Sequence, residues 1–392
     1  MKIQIRPEIE NIRDEIIATR RDIHQYPERG FQEVRTAALV AERLRSYGLE
    51  VRTGVGRTGV VGILAGRLPG PTIALRADMD ALPLQELNDV PYKSQTAGVM
   101  HACGHDGHVA VLLGVARVLA AARERLAGEV RFLFQPAEEG QGGARYMIAD
   151  GAIEGVDEIY GAHLWNYQPS GMVGIQSGAV LAAADEFEIR ITGVGGHGAT
   201  PQSAVDPIQV GAQLVTALQT IVSRNTNPLE STVVSVCQFE AGTTFNIIPE
   251  GAILKGTARS YSEANRSMIK RRMQEIVAGL GQAFNARIEL DYHDGYPPTI
   301  NDENATEKAR VASSKIAIEG VIKPFLTMGG EDFSYYAREI PGCFIFVGSA
   351  PPDRALESVS HHSPYFDIDE SALLVAASIM VQLIDDQLLT AD

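Results

Sequence analysis

Nine histidines occur in the 392-residue chain, and seven stand in short polar, glycine-rich segments: His101, His105, His108, His163, His197, His361 and His362. An isolated histidine usually satisfies one hydrogen-bond partner and does nothing more. The stretch H-A-C-G-H-D-G-H, from His101 to His108, is different, because it packs three histidines, a cysteine and an aspartate together. Burying so many titratable groups in one place is costly unless each is paired or neutralised. A transition-metal ion gives all of them a use, since imidazole, thiolate and carboxylate are its donors. A second segment, F-L-F-Q-P-A-E-E-G (132–140), ends a strand with Glu138 and Glu139 side by side on the loop beyond. On an ordinary surface two adjacent carboxylates are merely solvated. Beside a metal they divide the labour, one holding the cation and the other taking a proton from the attacking water. G-A-H-L-W (161–165) puts His163 at the end of an apolar strand with the only tryptophan, and H-H-S-P-Y-F (361–366) lies near the C-terminus.

These groups need a rigid frame. Apolar residues make up 45 % and charged residues 21 % of the chain, the balance of a globular protein. At ~150 residues per domain the length suggests two or three domains. The periodicity predicts helices over 8–25, 36–47 (ended by Gly48) and 109–125, and strands over 60–64, 72–76 and 129–134. That alternation argues for an α/β sheet covered on both faces. From residue 186 the pattern changes to strand 186–192, helix 203–224, strands 232–239 and 252–261, helix 263–284 and strand 287–292. This β-α-β-β-α-β order is the ferredoxin-like split unit. The expected fold is therefore a mixed-sheet α/β catalytic domain, residues 1–184 and 295–392, interrupted by an inserted domain at 185–294.

Lys and Arg number 34 against 49 Asp and Glu, a net charge of −15, which argues against nucleic acid or an anionic membrane as partner. No uninterrupted apolar run reaches the ~20 residues of a membrane span, and the N-terminus does not read as a secretory signal. Three widely spaced cysteines make no disulfide framework. Cys237 and Cys343, in apolar strand-like contexts, read as small core residues. A cytoplasmic protein of enzyme size is expected.

H-A-C-G-H-D-G-H, Q-P-A-E-E-G, G-A-H-L-W, G-H-G-A-T-P (196–201), M-G-G-E-D-F (328–333) and H-S-P-Y-F (362–366) follow one another in that order. Together they resemble the aminoacylase, hippurate hydrolase and auxin-conjugate amidohydrolase branch of the M20 metallopeptidases. The resemblance runs from R-R-D-I-H-Q-Y-P-E (20–28) to the end of the chain. It implies two divalent ions (Mn, Zn, Co or Ni) held by Cys103, His105, Glu139, His163 and His362, with His361 competing for the last place. It also implies Glu138 as general base, His197 as donor to the oxyanion, and Asn246 and Arg259 as substrate-binding residues. Arg259 suits a substrate α-carboxylate by bidentate pairing, or is a plain strand arginine. Where the wider superfamily has a His-x-Asp motif this chain has Asp78-Met79-Asp80. Cys103 compensates for the missing histidine, and Asp80 is left to orient a ligand.

The activity implied is hydrolysis of N-acyl amino acids to a carboxylic acid and a free amino acid. The enzyme implied is a homodimer or tetramer, with the inserted domain serving for dimerisation and as a lid. That domain is expected to complete the active site, from the other subunit of the dimer. A metallocarboxypeptidase or an N-acetyl-diaminopimelate deacetylase is the alternative on the same scaffold. From other classes, a Cys103 nucleophile would leave Glu139, His163 and His362 without roles. A non-catalytic metal-binding module would leave Glu138 without one. Two G-x-G-x-x-G matches, at 54–59 and 193–198, lack either the following helix or the acid ~20 residues on that a dinucleotide site needs.

Overall fold

A computed structural model describes residues 2–352 and 360–390, so the ends of the expected catalytic domain, residues 1 and 392, lie outside the described residues. The chain forms two units: Met1–Val180 with Ile300–Leu326 and Asp332–Asp392, and Leu181–Thr299 with Thr327–Glu331.

The first unit is built on an eight-stranded sheet. Its middle strands, Gly342–Ala350, Glu158–Pro169, Leu68–Asp78 and Ala127–Gln135, are parallel neighbours in that order. Gly59–Ala65 and Glu50–Val55 extend the sheet antiparallel. Parallel strands are covered on both faces and so read as apolar runs; Gly342–Ala350 is buried at every position. The helices Arg13–Gln25, His105–Ala121 and Ser371–Leu388 pack together over this sheet. Ser371–Leu388 has the length and apolar character of a membrane span, but it is a core helix, 72 % buried inside the protein. In parallel sheets functional groups gather beyond the carboxyl ends of strands. Here Asp78 ends one strand, and Glu138 and Glu139 follow another.

Local differences from the sequence reading have physical causes. Residues 8–25 form two helices, Pro7–Glu10 and Arg13–Gln25. The helix expected from Val109 opens at His105, because His105, Asp106 and His108 are all buried and tertiary contacts override their polar character. Gly104, at the helix entry, has φ +94°, a conformation that glycine adopts without strain. His163 lies inside its strand, not at the end: pairing with Leu68–Asp78 stops at Gly161, while the strand runs on to Pro169.

The second unit is a four-stranded antiparallel sheet in the order Thr232–Ala241, Gly251–Ser260, Ala183–Thr192, Arg287–Tyr296. The helices Pro207–Thr220 and Glu263–Phe284 complete the β-α-β-β-α-β order. Asp206 and Ser262 open them by accepting N–H bonds from Ile208 and Asn265. Phe187, Ile189, Ile191, Leu214, Leu218, Ile269 and Met273 form its core. The unit is wider than residues 185–294, since its first strand begins at Ala183 and pairs there with Ser260. Asp185 is buried and carries the Arg266 ion pair at 2.6 Å, so it belongs to the core of the unit rather than to its border. Cys343 is buried as expected, but Cys237 is exposed. The pairing of Thr232–Ala241 slips between Val236 and Gln238, and the residues after the slip face solvent.

A buried ionic network ties the first unit together. Arg20 is fully enclosed and meets Asp106 at 2.8 Å, Asp367 at 3.0 Å and Glu370 at 3.2 Å. His24 Nδ1 reaches the same Asp106 oxygen at 2.8 Å. Replacing Arg20 by Met strands Asp106 without its cation. Removing one partner of a buried pair costs ~3–5 kcal/mol, and the lower end applies because Asp367 and Glu370 lie near solvent. The expected result is a lower urea midpoint for Arg20→Met. An unchanged midpoint would show the network to be energetically neutral.

Candidate metal centre

Asp80 organises the loop that bears the two glutamates. Its Oδ1 accepts the Glu138 N–H and its Oδ2 the Glu139 N–H, each at 3.0 Å. One residue earlier, Ala137 has φ +53° and donates its N–H to Glu33 at 2.8 Å. Burial pushes the Glu33 carboxyl up to about 7, against the hydrogen bonds from Thr58 and Ala137. The loop turns back at Gly143, where a Cβ would fall 1.7 Å from the Pro136 carbonyl oxygen, so glycine is required. Asp80 also fixes His105: its backbone carbonyl accepts the Nδ1–H at 2.9 Å. That leaves the other ring nitrogen of His105, Nε2, buried without a hydrogen-bond partner among the described residues. His163 is held in the same manner, donating Nδ1–H to the Leu164 carbonyl at 2.7 Å and turning Nε2 toward Cys103 Sγ, 3.5 Å away.

The donors form overlapping triplets. The ligand atoms of Cys103, His105 and His163 lie within 4.8 Å of one another, as do those of Cys103, Glu139 and His362, and those of His105, Glu138 and Glu139. Two donors on one tetrahedral ion, at ~2.3 Å for sulfur and ~2.0 Å for nitrogen, stand ~3.5 Å apart. The Cys103–His163 spacing of 3.5 Å fits this, and His362 Nε2 stands 3.2 Å from Glu139 Oε1. Cys103 is common to the first two triplets, so the set can accommodate two adjacent cations. Buried His105 Nε2, with no hydrogen-bond partner among the described residues, fits the role of a metal ligand.

Electrostatics agree. Burial alone would raise the Glu139 carboxyl, but His362, His105 and Cys103 outweigh it and hold Glu139 below the usual carboxylate range. Burial disfavours a charged His105, yet Asp78, Asp80 and Glu139 raise it to about 10. A site this negative favours a cation, whether a proton or a metal ion.

Two further histidines stand beside these donors with their ring nitrogens engaged by other partners. His108 donates Nδ1–H to Asp78 at 2.6 Å, and its Nε2 accepts the Leu164 N–H at 2.9 Å. Both nitrogens are used, so the close group Asp78, His105 and His108 is a hydrogen-bonded support rather than a third ion site. Asp78 also meets Arg76 at 2.7 Å, and Arg76 meets Asp332 of the M-G-G-E-D-F motif at 2.8 Å. These supports were missed in sequence, although Asp78, His108 and Asp332 all stand inside the quoted motifs. His361 accepts the Asn166 N–H on Nε2 at 3.1 Å and faces Cys103 Sγ with Nδ1 at 3.7 Å. Of the two neighbouring histidines, His362 is the one beside Glu139.

His197, Asn246 and Arg259 belong to the second unit. His197 and Asn246 are neighbours: His197 pairs with Ile247, and the Asn246 carbonyl accepts the Gly198 N–H at 2.9 Å. His197 Nδ1 accepts the Ala199 N–H at 3.0 Å, which places its proton on Nε2. Arg259 donates to the carbonyls of Asp185 at 3.3 Å and Ala258 at 3.2 Å and to Thr257 Oγ1, and burial lowers its pKa. Among the described residues no carboxylate forms an ion pair with it.

Residues 74–386 match Peptidase family M20/M25/M40. The chain is 46 % identical over 301 residues to an N-acyl-L-amino acid amidohydrolase of Geobacillus stearothermophilus, covering 76 % of this chain and 81 % of that one. It is 41 % identical over 378 residues to thermostable carboxypeptidase 1 of Saccharolobus solfataricus, covering 95 % of each. It also resembles the crystal structure of the Bacillus subtilis YXEP protein, a dinuclear metal-binding peptidase from the M20 family. There the TM-score is 0.83 at 34 % identity, over 96 % of this chain and 98 % of that one.

Proposed function

The chain belongs to peptidase family M20/M25/M40, and on that footing we propose that it is a metal-dependent amidohydrolase releasing a free amino acid from N-acyl amino acids. The observation that carries this is the pair of donor triplets sharing Cys103, with Glu138 alongside. When bound by Cys103, His105, Glu139, His163 and His362, two divalent cations supply the Lewis acidity that activates water and polarises the amide carbonyl. Glu138, 6 % exposed and set in place by Asp80, takes the proton from the attacking water and returns it to the leaving amine. His197, with its proton on Nε2, donates to the oxyanion. Arg259, half-buried and in no ion pair among the described residues, suits the α-carboxylate of the substrate, and Asn246 assists beside His197.

A second reading, release of a C-terminal residue from a peptide, uses the same α-carboxylate and is favoured by the Saccharolobus relative. Comparing N-acetyl and N-benzoyl amino acids with dipeptides separates the two. We place the enzyme in the cytoplasm, where its three unpaired cysteines are at home. We also take it as a homodimer formed through the second unit. There the edge strand Thr232–Ala241 is open, Phe239 and Ile247 are exposed, and Phe245 is fully so.

The deciding experiment is exhaustive chelation. Hydrolysis of N-acyl amino acids should vanish and return with Mn, Zn, Co or Ni. Full turnover in protein shown to be metal-free by elemental analysis would overturn the proposal. For His197, the expected result of His197→Ala is a strong fall in turnover with metal content and folding unchanged. Co-expressing His197→Ala with Glu138→Gln should restore activity in the mixed dimer if His197 serves the partner's site. Verified heterodimers as inactive as either parent would confine its action to its own chain.

A further inference from the structure

His361 stands among the donors yet belongs to none of the three triplets. Its ring is enclosed by aromatic neighbours, with centroids 5.0 Å from Trp165, 5.3 Å from Tyr167, 5.1 Å from Phe366 and 5.2 Å from His163. Nε2 accepts the Asn166 backbone N–H at 3.1 Å, so that nitrogen carries no proton. An imidazole with a bare Nε2 has its proton on Nδ1. Nδ1 lies 3.7 Å from Cys103 Sγ, within the range of a hydrogen bond to sulfur, and the Cys103 backbone is a second partner for His361.

We propose that His361 is a positioning residue for the metal-binding sulfur, donating its Nδ1–H to Cys103 and setting both the direction and the donor strength of that thiolate. The proposal rests on the reading that Cys103 binds metal. A thiolate serving two cations would divide its electron density between them. An N–H donor on the same sulfur withdraws part of that density and limits the directions in which its lone pairs point. The surrounding rings leave His361 half-buried, which reduces the water that would otherwise compete for this bond. Sequence motifs offer His361 as a ligand. The contacts make it a donor to a ligand.

The test uses the cobalt-loaded protein and two substitutions that split the ring in half. His361→Gln carries its amide to the Nε2 position, keeping an acceptor for Asn166 and losing the donor to sulfur. His361→Asn keeps a donor near the Nδ1 position and loses the acceptor. The expected result is a sulfur-to-cobalt charge-transfer band moved to longer wavelength in His361→Gln, with cobalt affinity down ~10-fold. In His361→Asn the band should stay at the wild-type position. The reverse pattern, or no movement in either variant, would overturn the proposal and leave His361 as a latch for Asn166. Wild-type protein supplies a check that needs no variant: long-range proton–nitrogen NMR correlations should show His361 protonated on Nδ1. Protonation on Nε2 would end the idea. If wild-type protein takes up cobalt without any sulfur band, the metal role of Cys103 fails instead, and the NMR tautomer still reports on the His361–Cys103 bond.

Discussion

Glu138→Gln is expected to keep its metal and lose at least ~100-fold in kcat, the lower range for removal of an acid–base group. The substitution preserves shape and hydrogen-bonding length, and it leaves the backbone N–H of residue 138 on Asp80 Oδ1. Only the ability to take up and return a proton is lost. Glu139→Gln has a different expected signature. Its carboxylate stands 3.2 Å from His362 and shares a donor triplet with Cys103, so the amide should weaken metal retention. Inductively coupled plasma analysis beside steady-state kinetics separates the two. If Glu138→Gln sheds metal while Glu139→Gln retains it, the roles are reversed.

The second large effect is expected at a residue that touches neither substrate nor cation in the proposed scheme. Asp80 receives the N–H groups of residues 138 and 139 on its two oxygens, its own carbonyl holds His105 Nδ1, and its side chain lies 3.3 Å from that nitrogen. Asp80→Ala strips both acceptors from a buried loop, at ~1–3 kcal/mol for each N–H left unpaired. We expect metal affinity to fall ~10–100-fold, as is usual when the support of a ligand is removed. Asp80→Asn, which keeps one acceptor oxygen, should fall between Asp80→Ala and the wild type. Chelator competition gives the affinities and a denaturation series the stability. Unchanged affinity in Asp80→Ala would mean that the glutamate loop holds its shape unaided.

That these donors gather was legible, because they come in dense local groups whose composition makes no sense as ordinary core. The order of the second unit was legible too, since alternating apolar residues in Glu186–Thr192 and the long helical period of 263–284 are local patterns. What could not be read was anything decided by contact across long stretches of chain. Arg20 reaches Asp367 across 347 positions, and Asn166 meets His361 across 195. No periodicity encodes such pairs. The H-S-P-Y-F motif already favours His362 over His361 as a ligand, but the contact with Asn166 that gives His361 its own place is invisible in the sequence. The opening of the helix at His105 was hidden for a related reason. Polar residues 105–108 look like loop until the buried partners that satisfy them are known. Cys237 failed in the other direction, as an apolar-looking strand turned out to be an open edge.

His362 has a left-handed backbone, φ +64°, and its N–H is tied to the Ala102 carbonyl at 2.8 Å. Ala137, next to Glu138, is left-handed as well, and so are Phe31 and Arg57. Such a conformation costs a non-glycine residue of order 1–3 kcal/mol, which glycine largely recovers. This bears on laboratory evolution. A selection for heat resistance alone should accept glycine at 137 and 362, since each relieves the same torsional strain. At 31 and 57 glycine also removes the contact of Phe31 with Tyr146 and of Arg57 with both rings, which offsets the relief. At 362 it deletes an imidazole from the centre, and at 137 it loosens the hinge from which Glu138 projects. Libraries sorted on melting temperature alone should therefore drift toward robust, inert descendants. A second sort on turnover should return position 362 to histidine.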